Sequence, residues 1–347
     1  MEHLGDITTL SGYTAIPVDV VIGGSPCQDL SLAGRRTGLS GARSGLFLEQ
    51  IRVIKEMRNA TGNQPRYMVW ENVIGAFSAN GGEDFRTILT ETARVAEGNA
   101  IIPRPPNGKW RKSGCIMGNG WSIAWRVLNA QFWGVPQGRR RIALIADFGG
   151  YSAPEILFVR ESMCGTTAAC ESPQENPTAS AESNSYPAVW CLQGNAIDRS
   201  DTAGCNGKGW KEGIGYTLNT IDRHSVCILQ QGIARRLTPL EWERLQGFPD
   251  NWTDIGAWTD EKGKVHEKCS DTMRYQALGN SIAIPPWTWV LTRLCAQYHR
   301  PATMASLFDG IGGFSLIWER INGQGSCLWV SEIEPFLIAV TKYHFSP

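Results

Sequence analysis

Two side chains in this sequence have the type and placement for covalent chemistry on a ring. Cys27 stands in "GGSPCQ", just past the β-branched run "VDVVIGG", and Glu71 stands in "WENV", where the apolar run Tyr67 to Trp70 ends. Each run reads as a buried strand, and the C-terminal ends of such strands are where open α/β sheets build their sites. A thiol beside a carboxyl suits hydrolysis poorly, because hydrolysis wants a histidine base and the five histidines fall in no such motif. The same pair suits addition of a thiolate to an electron-poor ring while an acid protonates that ring. Arg139 and Arg141 in "PQGRRRIALIADF" open a further strand, where either can orient a carboxyl or a phosphate. Plainer readings stand beside these: a cysteine as a small buried hydrophobe, and the arginines as a solvated corner.

A second constellation lies near the C-terminal end, in "SLFDGIGGFSLIWERI". Gly310, Gly312 and Gly313 follow a strand and precede an amphipathic helix, so the backbone can turn tightly and approach a ligand at a helix N-terminus. Glu332 closes the next strand about 20 residues on, the spacing at which such folds place a carboxylate on a ribose hydroxyl. Without a complete GxGxxG, the turn is equally a nucleoside site or a tight structural turn.

The elements that must position these groups follow from periodicity. "LFLEQIRVIKEMRNA" and the stretch near Glu83 to Ala96 have helical spacing, "SIAWRVLNAQF" reads as a further helix, and "RRIALIADF" as a buried strand. From about Gly149 to Gly232 the composition turns to glycine, serine, asparagine and cysteine with short strand-like pieces, a second and smaller domain. Regular structure resumes at "RRLTPLEWERLQGF", with Thr238 as N-cap, Pro239 at the first helical position and Glu241 completing a capping box. "YQALGNSIAIPPWTWVLTRLCAQY" reads as a loop feeding a helix, and "SCLWVSEIEPF" as a last strand. The expected divisions are 1–148, 149–232, 233–300 and 301–347.

Composition narrows the class. The 347 residues are 42% hydrophobic and 19% charged, with 33 basic and 33 acidic side chains. A polyanion partner must therefore meet a local patch, since no bulk positive charge holds it. The ten cysteines form no disulfide framework or paired CxxC, so reduced thiols and no metal site are expected. No apolar stretch is long enough for a membrane span and no signal peptide is evident, which leads to the expectation of a cytoplasmic protein.

Together "SLFDGIGGFS", "SEIEPF", "LGDITTL", "GGSPCQDLSLAG", "WENV", "PQGRRRIALI", "RRLTPLEWERLQGFPDNW" and "QALGNSIAIPP" resemble the motif set of the cytosine-5 DNA methyltransferases. The order differs from the usual one: the glycine turn comes last, and "KYHFSP" would read straight into "MEHLGDITTL", so the motifs look circularly permuted. The resemblance implies an α/β fold with a doubly wound, mostly parallel Rossmann-like methyltransferase sheet and a smaller, irregular target-recognition domain at 149–232. It implies S-adenosyl-L-methionine as cofactor, held by Phe308, Gly310, Ile311, Gly312, Gly313, Glu332, Ile333, Asp6, Ile7, Pro26 and Asn280. Ile333 departs from the tryptophan often found there, which weakens stacking.

The resemblance further implies that Cys27 adds to C6 of a flipped-out cytosine while Glu71 holds a proton at N3, with Arg141 and Arg139 orienting base and acid. Gln28, Ser31, Asn72, Arg35, Arg36 and Arg43 would meet the substrate. Arg160, Arg199, Lys208, Lys211 and Arg223 in the variable region could serve phosphates or guanine edges. The implied partner is double-stranded DNA, met by a monomer, and a cognate restriction endonuclease is a further partner class. Three rivals remain: a transfer RNA methyltransferase of the same family, a catalytically silent DNA-binding protein of the same fold, and a nicotinamide dehydrogenase. The last leaves Pro-Cys-Gln and Gly-Asn-Ser unexplained.

Overall fold

The computed structural model describes residues 1–26, 45–159, 189–195, 208–220, 223–228, 232–260 and 262–345. Its first strands are β1 (Glu2–His3), β2 (Val20–Gly23), β3 (Tyr67–Val73), β4 (Ser113–Met117), β5 (Ser122–Asn129) and β6 (Arg140–Asp147). A smaller set follows: β7 (Val189–Leu192), β8 (Trp210–Glu212), β9 (Ser225–Ile228), β10 (Ile233–Arg236), and the hairpin β11 (Trp258–Thr259) with β12 (Val265–His266). β13 (Met304–Leu307) and β14 (Cys327–Ser331) come last. Among the described residues the main sheet has eight strands, in the order β1-β14-β13-β2-β3-β6-β5-β4. From β1 to β3 each pair is parallel, and the three pairs beyond β3 are antiparallel. The small sheet is β10-β9-β7-β8, antiparallel throughout.

Successive residues of the central strands feed two cores, one on each face. Val20, Ile22, Tyr67 and Val69 meet the helices α3 (Ala153–Leu157), α6 (Ile284–Cys295), α7 (Gly313–Asn322) and α8 (Pro335–Phe345) through Ile156, Leu291, Ile317 and Phe336. Val21, Met68 and Trp70 meet α1 (Leu46–Thr61) and α2 (Glu83–Ala93) through Phe47, Ile54 and Phe85. Burial on both faces is why these strands read as unbroken apolar runs. Among the described residues no helix is long and apolar enough to cross a membrane.

Three sequence expectations change. "SIAWRVLNAQF" is not a helix: Ser122–Asn129 is the strand β5, hydrogen-bonded between β4 and β6. Ile123 and Trp125 enter one core, Ala124 and Leu128 the other, so two-sided burial replaced alternation with a pattern compatible with a helix. The strand through Tyr67 does not stop before Glu71. It runs to Val73 because β6 pairs with it along its whole length, Glu71 opposite Ala143 and Val73 opposite Arg141. "YQALGN" is not loop but the end of α5 (Asp271–Asn280), whose cap is Ser270, its side chain accepting from Met273 N at 3.3 Å.

The capping box does form on α4 (Pro239–Gln246): Thr238 Oγ1 accepts from Glu241 N and the Glu241 carboxylate accepts from Thr238 N at 2.8 Å. Thr238→Ala is expected to cost about 1 kcal/mol, seen as a lower urea midpoint at unchanged m-value.

β1 lies beside β14, with Glu2 opposite Trp329 and Leu4 N donating to Val330 O at 2.8 Å. On α8, Thr341 Oγ1 is 3.4 Å from His3 Nε2. In space the succession β14, α8, β1 is that of a parallel crossover unit, although β1 comes first in sequence.

Candidate active site at the carboxyl edge of the parallel strands

The parallel strands end at one edge, and most of the described site residues predicted from sequence collect there. Phe308 to Gly313 follow β13, Glu332 and Ile333 follow β14, and Asp6 and Ile7 follow β1. Gly24 to Pro26 follow β2, and Glu71 lies near the end of β3. Such an edge is the ordinary position for a ligand on this class of sheet.

The turn after β13 is built on left-handed backbone at Phe308 (φ 56°), Gly310 (φ 61°) and Gly312 (φ 77°). Phe308 is the unusual one, since a bulky residue held at positive φ stores strain of the kind found at ligand sites. Glu332 braces the turn: its Oε2 accepts from Gly310 N at 2.9 Å, and its Oε1 from Ile333 N at 2.8 Å and Glu334 N at 3.0 Å. Burial raises the pKa of this carboxyl, and the same N–H groups offset part of the rise. Oε2, with a single donor on it, retains acceptor capacity for a ribose hydroxyl.

Ser331 Oγ donates to Gly5 O at 2.7 Å, which fixes the start of the "GDI" segment against β14. Asp6 is exposed with Oδ1 accepting from Thr8 N at 2.9 Å, whereas Ile7 is buried with its carbonyl accepting from Arg52 Nη2 at 2.9 Å. Asn280 is the exposed last residue of α5. It is brought toward the turn by Ile282, whose Cγ1 would lie 2.8 Å from a Cβ on Gly313. Ile333 is 65% exposed at the rim, an apolar surface with no indole to stack.

These groups fit S-adenosylmethionine: an acid for the ribose diol, apolar side chains for the adenine, and a glycine turn opening α7 for the amino-acid carboxylate. A Cβ at Gly312 would sit 2.7 Å from Phe345 Cε2. Gly312→Ala is therefore expected to cost about 1–2 kcal/mol from backbone alone and to weaken cofactor binding at least about tenfold, measured by calorimetric titration beside a melting curve.

Two supports of the turn were not read from sequence. Trp252 Nε1 donates to Ile311 O at 2.8 Å, and Phe248 lies against Gly313, so the "GFPDNW" segment holds the turn from behind. The sequence marks "GFPDNW" as part of the family resemblance, and nothing in its spacing links it to the glycine turn. Asp309 is buried beneath the turn, with Oδ1 accepting from Ser315 Oγ at 3.0 Å and Oδ2 without a hydrogen-bond partner. Burial pushes its carboxyl up to about 7, the hydroxyls of Ser306 and Ser315 offset part of that, and Glu332 adds to it.

On the catalytic side, the segment leading to Cys27 is fastened to β3. Trp70 Nε1 donates to Ser25 Oγ at 2.9 Å and Asn72 Nδ2 donates to Ser25 O at 3.1 Å. Asn72 also accepts from Val73 N at 2.8 Å, so its buried amide serves the backbone here. A Cβ on Gly24 would stand 3.5 Å from Glu71 Oε2. Cys27 itself, with Gln28, Ser31, Arg35, Arg36 and Arg43, lies outside the described residues, as do Arg160 and Arg199.

Arg141 Nε meets Glu71 Oε1 at 3.0 Å, with the two side chains 18% and 13% exposed. Burial raises the Glu71 carboxyl above its ordinary range, and the charges of Arg141 and Arg139 recover only part of that. Arg139 takes a different position: it is buried, with Nη1 donating to Leu218 O at 3.1 Å and Nη2 to the carbonyls of Gly279 and Ser281. It ties the start of β6 to the "GNS" turn and reaches Glu71 through its charge. The described segment that leads into Cys27, a buried acid whose pKa burial raises and an arginine on that acid thus share one edge with the nucleoside-type turn.

A family model described as C-5 cytosine-specific DNA methylase matches residues 1–95 and 174–295, more than half of the chain. The chain belongs to this family. Among curated relatives, Type II methyltransferase M.HpaII of Haemophilus parainfluenzae is 27% identical over 81% of this chain and 73% of its own. Type II methyltransferase M2.BsuMI of Bacillus subtilis is 25% identical over 84% of this chain and 63% of its own. A protein of Escherichia phage P1 named DNA N-6-adenine-methyltransferase is 27% identical over 85% of this chain and 55% of its own. The chain thus spans about half to two thirds of the length of several relatives it matches.

Proposed function

We propose that this chain transfers a methyl group to C5 of a cytosine flipped out of double-stranded DNA, through a covalent bond between Cys27 Sγ and C6. The observation that carries the reading is the Glu71–Arg141 pair beside the Ser25-anchored segment that leads into Cys27. S-adenosylmethionine, when bound at the glycine turn, supplies an electrophilic methyl group on a sulfonium. Cytosine C5 is a weak nucleophile, so the protein must raise its electron density. The Cys27 thiolate forms a bond to C6, and the C5=C6 electron pair becomes available at C5 while Glu71 shares its proton with N3. Arg141 holds Glu71 in place and offers a positive charge beside the ring. After methylation, a base or solvent takes the C5 proton, its electron pair re-forms C5=C6 and expels the thiolate, and Glu71 recovers the proton shared with N3, so the protein ends as it began. Flipping is required because the ring is out of reach within a duplex.

The phage relative's printed activity on adenine defines the second reading. Methylation of an exocyclic amine needs no thiol adduct, so Pro-Cys-Gln together with the Glu71–Arg141 pair supports cytosine. A restriction partner and monomeric action stay part of the proposal.

Duplex DNA carrying 5-fluorocytosine separates the readings, because fluorine cannot leave C5 as a proton does. The expected result is a denaturation-resistant protein–DNA adduct that requires S-adenosylmethionine and is absent with Cys27→Ser. Methylated adenine without any adduct would sink the proposal.

A further inference from the structure

A polar cavity of about 260 Å³ opens where the strand start carrying Arg141 meets the small sheet. Its polar lining comes from the end of β5 and the turn after it (Asn129, Gln131), the start of β6 (Arg140, Arg141) and the small-sheet region (Lys211, Thr217). Three cations line it among the described residues, and of these Arg141 is committed to Glu71. Among the described residues, Arg140 and Lys211 have no carboxylate partner, and no carboxylate lines the cavity. Lys211 Nζ lies 4.7 Å from the centroid of the Tyr216 ring and would be 3.7 Å from a Cβ on Gly138, so the small sheet reaches a cation across to the β6 loop.

The seam between the two parts is hydrogen-bonded. Gly138 N donates to Gly215 O at 2.9 Å, Gly215 N to Pro136 O at 2.7 Å, and the Thr217 hydroxyl to Gly138 O. The backbone segments that carry Arg140 and Lys211 are therefore joined before any ligand arrives. Asn129 Oδ1 is buried with no partner among the described residues, a polar group left for ligand or solvent. Among the described residues no aromatic ring lines the cavity, which argues against a stacked base. Its volume falls just below the ~300–1,000 Å³ of drug-sized pockets, enough for a sugar-phosphate and far too little for a duplex.

We propose that Arg140 and Lys211 grip one backbone phosphate of the nucleic-acid substrate, clamping the small sheet and the catalytic strand to the same strand of DNA beside the reacting base. The inference rests on the proposed function and adds the residues that set the register of the substrate. Phosphate contacts position a duplex without reading its sequence, so this grip is sequence-neutral. It brings the base next to Arg141, which is a wall of the cavity and the partner of Glu71.

The test is equilibrium binding of a mixed-sequence duplex across a salt series, with wild type, Arg140→Ala, Lys211→Ala, the double variant and Arg140→Lys. Melting curves confirm that each variant is folded. The double variant is expected to weaken binding about tenfold on every sequence and to flatten the log–log salt slope by about 1. Its loss is smaller than the sum of the two single losses, as for groups sharing one partner, and Arg140→Lys recovers most of the slope. Two results overturn the clamp: an unchanged slope in the double variant, or additive losses that flatten the slope by about 2, which mean two separate phosphates. If wild type methylates DNA while either occurs, only the clamp fails. If wild type neither binds nor methylates duplex, the functional reading fails with it.

Discussion

Glu71→Gln is expected to lower kcat for methyl transfer by about 10²- to 10⁴-fold while leaving duplex affinity within a few-fold. Glutamine keeps the size of the side chain and can still donate a hydrogen bond toward a ring nitrogen. It cannot share a transferable proton, and it leaves Arg141 without the carboxylate that now sits 3.0 Å away. The loss belongs in kcat more than in KM, because the interaction tightens as charge develops on the ring. A pH profile adds a second signature. Burial holds the Glu71 carboxyl above its ordinary range, so the folded chain binds this proton more tightly than the unfolded chain does. Wild-type kcat should fall on the alkaline side as Glu71 ionises, and that limb should vanish in the variant. A variant with wild-type kcat would remove Glu71 from the mechanism.

Asp309→Asn should change how stability responds to pH. Below the ordinary aspartate range both folded and unfolded chains hold the proton, so the group contributes no pH dependence there. Above it the unfolded chain releases the proton while the folded chain keeps it until about 7. The contribution of this group to wild-type stability therefore falls from about pH 4 to about pH 7 and levels off beyond. The loss from this group is about 1–4 kcal/mol, the upper figure being the full separation of the two pKa values. The asparagine variant, which keeps a side-chain oxygen for Ser315, should lose this component, gaining on wild type at pH 8 relative to pH 4. Urea titrations at the two pH values measure it. Identical pH dependence in both proteins would mean that Asp309 is ionised in the folded chain at neutral pH. A side chain so unfavourable when charged, set beneath a ligand turn, fits the rule that functional regions give up stability.

Much of this site was legible because its signals are local. The glycines after "SLF", the β-branched run before "GGSPCQ" and the Thr238–Glu241 box each specify backbone geometry within a few residues, and the structure has each in place. What escaped depends on partners distant in sequence. β5 looks helical until β4 and β6 flank it and both of its faces are covered. Glu71 looks terminal until β6 extends the pairing to Val73. Arg139 and Arg141 look equivalent from sequence. In the fold one is buried among carbonyls and the other meets the acid. Trp252 could not be linked to Ile311 from sequence, because 59 residues separate them. The grouping of motifs from both ends of the sequence at one edge follows from β1 pairing with β14, a non-local fact.

The edge formed by β13, β14, β2 and β3 is proposed to methylate cytosine in DNA through Cys27. Its most direct test is transfer of labelled methyl from S-adenosylmethionine to duplex DNA and, in parallel, to transfer RNA, with Cys27→Ser alongside and the labelled base identified after hydrolysis. The expected result is label in DNA as 5-methylcytosine, lost with Cys27→Ser. Label on adenine, label confined to transfer RNA, or 5-methylcytosine that persists in the Cys27→Ser variant would contradict it.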